Sequence, residues 1–285
     1  MTQLTTEHPG GYRPFKLRWA PADLVPRLAS IGWRGAILRL IALVTLLIGL
    51  APSQAIRGVA DDTFMPHWRL DGLDSLLGGG WVPSAGLQRI LSEPGTEQTL
   101  IDLTSTFVYL AWLPVCWAVM AYVIIIRWDS YRRFALSWFG IWYVALIAFV
   151  VLPVEPPWVL ESVERTLVEG SAGFVNADPN PTAAFPSLHV GLPATLAFQA
   201  RAAGIRTLSR PLFIFTALTA FAVVHLGEHY VIDALGGVGV AWLTVKLVER
   251  IAVRSPGYGG ASRARATRRL TGVVPGRAQP PSRAA

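Results

Sequence analysis

The sequence is short of charge and nearly without cysteine. Only 15% of its 285 residues are Asp, Glu, Lys or Arg, whereas a soluble domain carries roughly a quarter. The shortage is concentrated in long uncharged runs, which exclude an ordinary soluble fold and favour lipid as the solvent. The single cysteine, Cys116, excludes an internal disulfide. No short apolar leader with a small-residue cleavage site opens the chain, so a signal peptide is not expected.

Six apolar segments have about the length that a helix needs to cross a membrane, which is roughly 20 residues. They predict spans at 35–51, 100–126, 134–154, 185–200, 211–226 and 231–247. The expected fold class is therefore an all-α integral membrane protein, a bundle of six transmembrane helices. Because few residues separate the last two spans, they are expected to form a tight antiparallel hairpin.

Basic and acidic residues separate between the loops. Of the 25 basic residues, 21 lie on one side, in the N-terminal arm, two short loops and the C-terminal tail, with only four of the 18 acidic residues. By the positive-inside rule both termini are cytoplasmic and the acidic loops face outward. The expected location is the plasma (cytoplasmic) membrane.

Three regions follow from this pattern. Residues 1–34 form a cytoplasmic arm, residues 35–253 the membrane domain, and residues 254–285 a basic tail without apolar periodicity. The tail is expected to be disordered and held near anionic lipid, and no nucleic-acid partner is expected.

The two acidic loops carry apolar residues at helical spacing. This pattern occurs within 68–77 and again within 159–167. It predicts short helices, either lying in the membrane interface or packed against the bundle.

Three of the five histidines fall in two short segments, 184–191 and 225–233. The predicted spans bring both segments to the outer membrane face. On a helix, His229 and Asp233 would share one face, since they are four residues apart. The carboxylate could then accept the imidazole Nδ1–H and leave Nε2 free as a nucleophile or base. Asp233 also begins a span, where an ionisable residue is costly and points to function.

The first segment resembles a helix start. Pro186-Ser187 predicts Ser187 as the N-cap, and the amides of the first turn would form an anion site with His189 beside it. Each feature has a structural alternative: an interfacial histidine, a plain cap, or a structural ion pair. Two histidines could also hold a metal or a haem, although one acid and no nearby cysteine make a poor ligand set. No metal or cofactor is expected.

The residues of these two segments, taken together, resemble the motifs of a known family. The sequence reads FPSLH at 185–189 and HYVID at 229–233, followed by Gly236-Gly237. This is similar to the type 2 phosphatidic acid phosphatase (PAP2) superfamily of six-span lipid phosphatases and phosphotransferases. The likeness covers about 100–250 and looks strongest to the inositol phosphorylceramide synthase branch; the general family has Gly where Leu188 stands.

The resemblance implies a role for each matching residue. His229 would be the nucleophile that takes the phosphoryl group, Asp233 its orienting partner, and His189 the general acid that later activates the acceptor. Phosphate oxygens would be bound by Ser187 and its neighbours Pro186 and Leu188. No metal is required in that scheme, since fixed donors stabilise the transferring group.

The sequence departs from the phosphatase pattern at the phosphate clamp. The pattern has Ser-Arg where this chain has Ala222-Val223, and its Lys…Arg-Pro motif has no counterpart in 152–158. A phosphoryl group normally pairs with a cation. We therefore hypothesise that Arg165 or His225 replaces the missing arginines.

The expected function is an integral membrane enzyme acting on lipid phosphates or polyprenyl phosphates at the outer leaflet. A phosphohistidine intermediate would pass the phosphoryl group to water or to a polyol such as inositol, so hydrolysis and transfer both stay open. The alternative is a non-catalytic lipid-binding or transport protein on the same fold, which the absent arginines would explain.

Overall fold

The computed structural model describes residues 29–52, 67–91, 99–167 and 182–254. Within these ranges the chain is helical, and its only β contacts are isolated bridges. The helices are α1 (Trp33–Ile48), α2 (Asp71–Leu77), α3 (Pro83–Leu91), α4 (Leu100–Ile126), α5 (Tyr131–Val151), α6 (Leu188–Ala202), α7 (Arg206–His225) and α8 (Val231–Arg254). Most of the predicted N-terminal arm, residues 1–28, and the tail from 255 onward lie outside the described residues.

Four helical stretches in the described ranges are long and apolar enough to cross a membrane. They are Leu100–Ile126, Trp128–Val151, Arg206–His225 and Val231–Ala252. The other two predicted spans contain shorter helices, α1 with 16 residues and α6 with 15. At 1.5 Å per residue, α6 is only roughly 22 Å long.

Helix α6 occupies the centre of the bundle. It packs against α5, α7 and α8, and nearly all of its side chains are buried. Leu192 and Leu196 are fully enclosed, and small residues such as Ala194 and Ala197 lie between them. A helix that is buried all round needs no polar face, which explains its weak amphipathic pattern.

The predicted tight hairpin of the last two spans is wrong. Only residues 226–230 separate α7 from α8, yet both helices pack chiefly on α6 and contact each other little. Glycines allow this arrangement, because a Cβ on Gly237 would collide with the backbone oxygen of Ser187 and one on Gly191 would lie 3.1 Å from the oxygen of Gly237. Small residues let helix backbones approach closely, so α6 comes between its two neighbours.

One end of the bundle gathers both sequence motifs and is called here the motif end. It comprises the starts of α4, α6 and α8 and the ends of α5 and α7. Single-residue bridges join Trp68 to Val154 and Val154 to Ala183, so the loops at this end are tied together by backbone hydrogen bonds. Helices α2 and α3 lie at the same end and contact α8 and α7, respectively.

Of the two loop helices predicted from apolar spacing, one is present in the structure and the other is not. Helix α2 is found within 68–77, whereas no α-helix forms in 159–167, where a 3₁₀ turn (Pro157–Val159) leads into turn and extended chain. That prediction is wrong because the backbone of Glu164 bonds elsewhere. Gln88 of α3, a helix that we did not predict, accepts from its N–H and donates to its carbonyl at 3.0 and 2.7 Å.

We expect Gly237→Ala to disrupt the fold, because the added Cβ would collide with the Ser187 backbone oxygen rather than with a flexible side chain. Overpacking of this kind typically costs about 1–3 kcal/mol. The matched control is Gly239→Ala in the same helix, where a Cβ meets nothing within 4 Å. Thermal unfolding of the detergent-purified proteins should show a lower midpoint for the first variant only; equal midpoints would contradict the close approach.

Candidate active site

The structure brings His189 and His229 into direct contact. His189 is the second residue of α6, and His229 lies in the connection between α7 and α8. Its Nε2 atom is 3.1 Å from Nδ1 of His189, so one ring donates a hydrogen bond to the other. Two segments forty residues apart therefore meet at the motif end, as the sequence predicted.

Asp233 lies beside His229, but not in the predicted way. Helix α8 begins at Val231, so His229 precedes the helix and does not share a helical face with Asp233. Its Nδ1 is nevertheless 3.5 Å from Oδ2 of Asp233, at ion-pair distance. That same oxygen accepts a 2.8 Å hydrogen bond from the backbone N–H of Tyr230. Asp233 thus caps the start of α8 through the Tyr230 N–H and also faces the His229 imidazole. The two side chains meet because the chain turns at the helix start, and not because they are four residues apart on one helix.

Ser187 occupies the N-cap position of α6 without acting as a side-chain cap. Its backbone is extended, its hydroxyl makes no cap bond, and that hydroxyl has no hydrogen-bond partner among the described residues although Ser187 is only 1% exposed. Its N–H donates to the carbonyl of Asp233 at 3.1 Å. This unpartnered hydroxyl lies two residues before His189, at the positive end of a helix.

The two neighbours of Ser187 contribute differently. Pro186 is buried and has no N–H to donate. The side chain of Leu188 belongs to the hydrophobic core, so only its backbone could face a ligand. An amide at the first position of a helix has no intrahelical acceptor, which suits anion binding.

Arg165 is paired with Glu228, the residue before His229. Its Nε and Nη2 atoms donate to the two carboxylate oxygens of Glu228 at 2.6 and 3.4 Å, and its guanidinium lies 5.0 Å from the Trp158 ring centroid. Glu228 immediately precedes His229 in the chain. A cation thus contacts the residue that precedes the candidate nucleophile, and the carboxylate of that residue neutralises it.

His225 is brought to a different partner. It is fully buried, and its Nε2 atom lies 2.8 Å from Oδ1 of Asp102 near the start of α4. The other oxygen of Asp102 accepts from the N–H and hydroxyl of Thr99, completing a capping box. Gln88 donates to the His225 carbonyl at 2.8 Å. This placement favours a structural ion pair over contact with phosphate.

A second carboxylate holds the start of α8 from outside the bundle. Asp74 of α2 is fully buried, and its Oδ1 accepts from the N–H of Ile232 at 3.0 Å. Burial raises the pKa of the Asp74 carboxyl, against the lowering effect of backbone hydrogen bonds from Ile232 and Val231. Burial likewise raises the pKa of the neighbouring Tyr230 phenol. Helix α2 therefore fixes the turn that carries His229.

This arrangement suits nucleophilic phosphoryl chemistry. It offers an imidazole nitrogen with a carboxylate behind it, a second imidazole in contact with it, and an unpaired hydroxyl at a helix start. Within the described ranges, no three His, Cys, Asp or Glu side chains are grouped to hold a metal ion.

Sequence reasoning missed Asp102, Gln88, Asp74 and Glu228. One of them carried a signal in the sequence, because Asp102 is the only Asp, Glu, Lys or Arg in the long apolar helix α4, and charged residues within spans mark functional or paired sites. The others are polar residues in loops or short helices. Their roles depend on contacts across the fold, such as the Ile232–Asp74 bond, which no local pattern reveals.

We expect His225→Ala to destabilise the protein, because it leaves the Asp102 carboxylate buried without its partner. Breaking a buried ion pair typically costs about 3–5 kcal/mol. The double variant Asp102→Ala/His225→Ala should recover part of this loss, and thermal unfolding in detergent measures both. An unchanged midpoint together with a raised KM for phosphate substrate would instead assign His225 to phosphate binding.

The comparison with known proteins agrees with the geometry of the motif end. No curated protein and no solved structure gave a significant match to the chain. A family model described as the PAP2 superfamily matches residues 73–247, a range that contains both histidine segments and helices α3 to α7. Because this match covers more than half of the sequence, the chain belongs to the PAP2 superfamily.

Proposed function

We propose that the protein is a membrane lipid-phosphate phosphatase or phosphotransferase working through a phosphohistidine intermediate. The observation that carries the proposal is the 3.1 Å contact between His189 Nδ1 and His229 Nε2, with Asp233 behind His229 and the unpaired Ser187 hydroxyl nearby. Family membership supports phosphatase-type chemistry.

In the proposed first step, Nε2 of His229 attacks phosphorus and the bond to the leaving oxygen breaks. His189 gives its proton to that oxygen, which leaves as an alcohol. Asp233 stabilises the positive charge that develops on the His229 ring through Nδ1. In the second step water or an alcohol attacks phosphorus, His189 takes its proton, and His229 is released.

The proposed membrane arrangement has six spans, with α1 and α6 completing the four long ones. The charge distribution supports cytoplasmic termini and an outward-facing motif end in the plasma membrane. A buried central helix can be shorter than the bilayer is thick because other helices, not lipid, surround it.

A groove supports a lipid substrate. It lies between the start of α4 and the end of α7, is mostly apolar, and has a volume of about 410 Å³. Leu100, Ile101 and Val108 form one wall, and Leu218 and Phe221 the other. Tyr109, next to Val108, contacts His189. The groove begins at the motif end and could hold a hydrocarbon chain, which favours lipid or polyprenyl phosphates over soluble esters.

The likeness of the FPSLH and HYVID motifs to inositol phosphorylceramide synthases supports head-group transfer with a polyol acceptor such as inositol. The wider superfamily supports hydrolysis. Both reactions share the same first step, so the acceptor alone distinguishes them.

We expect His229→Ala to abolish phosphate release and head-group transfer, a loss of at least roughly a thousandfold in kcat. The assay uses detergent-purified protein, a panel of phosphatidate, polyprenyl phosphate and inositol lipids, and EDTA. Activity should survive EDTA, because the proposed steps use imidazole, hydroxyl and amide groups. Wild-type protein that is quenched in alkaline denaturant, in which the N–P bond of phosphohistidine survives, should carry the radiolabelled phosphoryl group of the substrate on His229.

The matched control is His67→Ala, which removes an exposed histidine paired with Glu155 in the loops. Activity in His229→Ala equal to that of the control would overturn the phosphohistidine mechanism. Lipid binding that both variants retain, without turnover in the wild type, would favour the alternative of a lipid-binding or transport protein.

We expect Arg165→Ala to raise KM for phosphate substrates roughly 10- to 100-fold, since charge-assisted hydrogen bonds contribute about 1.5–3 kcal/mol. Glu228→Gln should lower KM, because it frees the guanidinium from its carboxylate partner. Arg69→Ala, which breaks a more exposed pair with Asp71, is the control. If Arg165→Ala and Glu228→Gln both lower stability and leave KM unchanged, the pair is structural and another group binds the phosphate.

A further inference from the structure

The ring of His189 contacts two aromatic side chains of α4. The Tyr109 ring stacks on it with centroids 4.5 Å apart and planes inclined by 21°. The Trp112 ring is 4.6 Å away and inclined by 57°. Residues 109 and 112 are three apart and so project from the same face of α4.

Both aromatic rings are themselves held by other helices. Tyr109 is buried in a cluster with Val190 of α6 and Val223 of α7. Trp112 packs on Trp142 of α5, with ring centroids 6.4 Å apart. The walls around His189 are therefore fixed parts of the bundle.

The remaining edge of the His189 ring faces the candidate nucleophile. His229 meets it edge-on, with ring planes inclined by 60° and Nδ1 and Nε2 in hydrogen-bond contact. Behind His229 lies the carboxylate of Asp233. Rotation of the His189 ring about its side-chain bonds would move Nδ1 out of line with the reacting atoms.

We propose that Tyr109 and Trp112 are positioning residues that hold the His189 imidazole in line for proton transfer. This inference rests on the proposed function, in which His189 protonates the leaving oxygen. A misplacement of about 1 Å in a reacting group can reduce the rate roughly a hundredfold. Aromatic walls also attract a protonated imidazole through their π faces, which aliphatic side chains of similar size do not.

The proton that His189 donates in the first step is needed by some leaving groups and not by others, so a comparison of leaving groups tests the proposal. As the His229 Nε2–phosphorus bond forms and the phosphorus–oxygen bond breaks, the proton of His189 passes to the leaving oxygen. An alkoxide is a poor leaving group and needs that proton, whereas p-nitrophenolate leaves without it. A defect in positioning His189 should therefore depend on the leaving group, and a general loss of structure should not.

The experiment compares dodecyl phosphate with p-nitrophenyl phosphate as substrates of the purified full chain. For Tyr109→Leu/Trp112→Leu we expect kcat/KM, which reports the first step and excludes the second step shared by both substrates, to fall roughly a hundredfold with dodecyl phosphate and only a fewfold with p-nitrophenyl phosphate. Tyr109→Phe and Trp112→Phe should restore most of the loss. In a His189→Ala background the two leucines should add no further loss. The control is Trp117→Leu, another tryptophan of α4, whose ring packs on Trp138.

Equal losses with both substrates, or full additivity with His189→Ala, would overturn the proposal. A readout without turnover separates it from the proposed function: diethyl pyrocarbonate modification of His189, followed by peptide mass spectrometry. The ring should react several times faster in the double leucine variant than in the wild type and the Trp117→Leu control. Unchanged reactivity would show that the aromatic rings do not hold His189, whether or not the protein turns over a phosphate.

Discussion

The close contact between the start of α6 and the first turns of α8 is the constraint on which the site depends. Ser187 donates its N–H to the Asp233 carbonyl, and the glycines of the two helices let the backbones approach. Because His189 follows Ser187 by two residues and His229 precedes Asp233 by four, this contact sets the distance between the two imidazoles. A larger side chain at Gly237 would separate them before it affected any reacting atom.

Hydrogen bonds near the contact between α6 and α8 stabilise buried polar side chains, which would otherwise be unfavourable in lipid or in an apolar core. Asp102 is bonded to Thr99 and His225, and Asp74 to the start of α8. Gln88 connects the end of α7 to the loop that carries Arg165. Buried polar groups cost free energy unless they are paired. The Ser187 hydroxyl is one of several buried polar atoms at the motif end without a partner among the described residues, together with the hydroxyls of Ser84 and Tyr230. On the proposed function it would bind a substrate oxygen.

The sequence predicted correctly those elements that are determined by a local pattern of residues. Long apolar runs predicted α4, α5, α7 and α8, and the two histidine motifs predicted which span ends would meet. It failed where tertiary contacts override local pattern. The apolar spacing of 159–167 suggested a helix, but Gln88 takes the Glu164 backbone groups that a helix would use. A five-residue connection suggested a hairpin, but α6 separates α7 from α8. His225 looked like a free cation because its partner, Asp102, lies 123 residues away.

Two features of the site are related: the family's arginines are absent, and the polar groups that remain are bonded to one another. The candidate nucleophile His229 is hydrogen-bonded to His189, and the Arg165 cation is bonded to Glu228, one residue before it. On the proposed mechanism, an incoming phosphate exchanges both internal contacts for its own, so breaking them offsets part of the free energy of binding. Interactions that strengthen only as charge moves onto the leaving oxygen then contribute most of the rate. On the same proposal, the arginines of the general family pattern would bind phosphate throughout the reaction, whereas a cation held by Glu228 would be released only when a competing anion arrives.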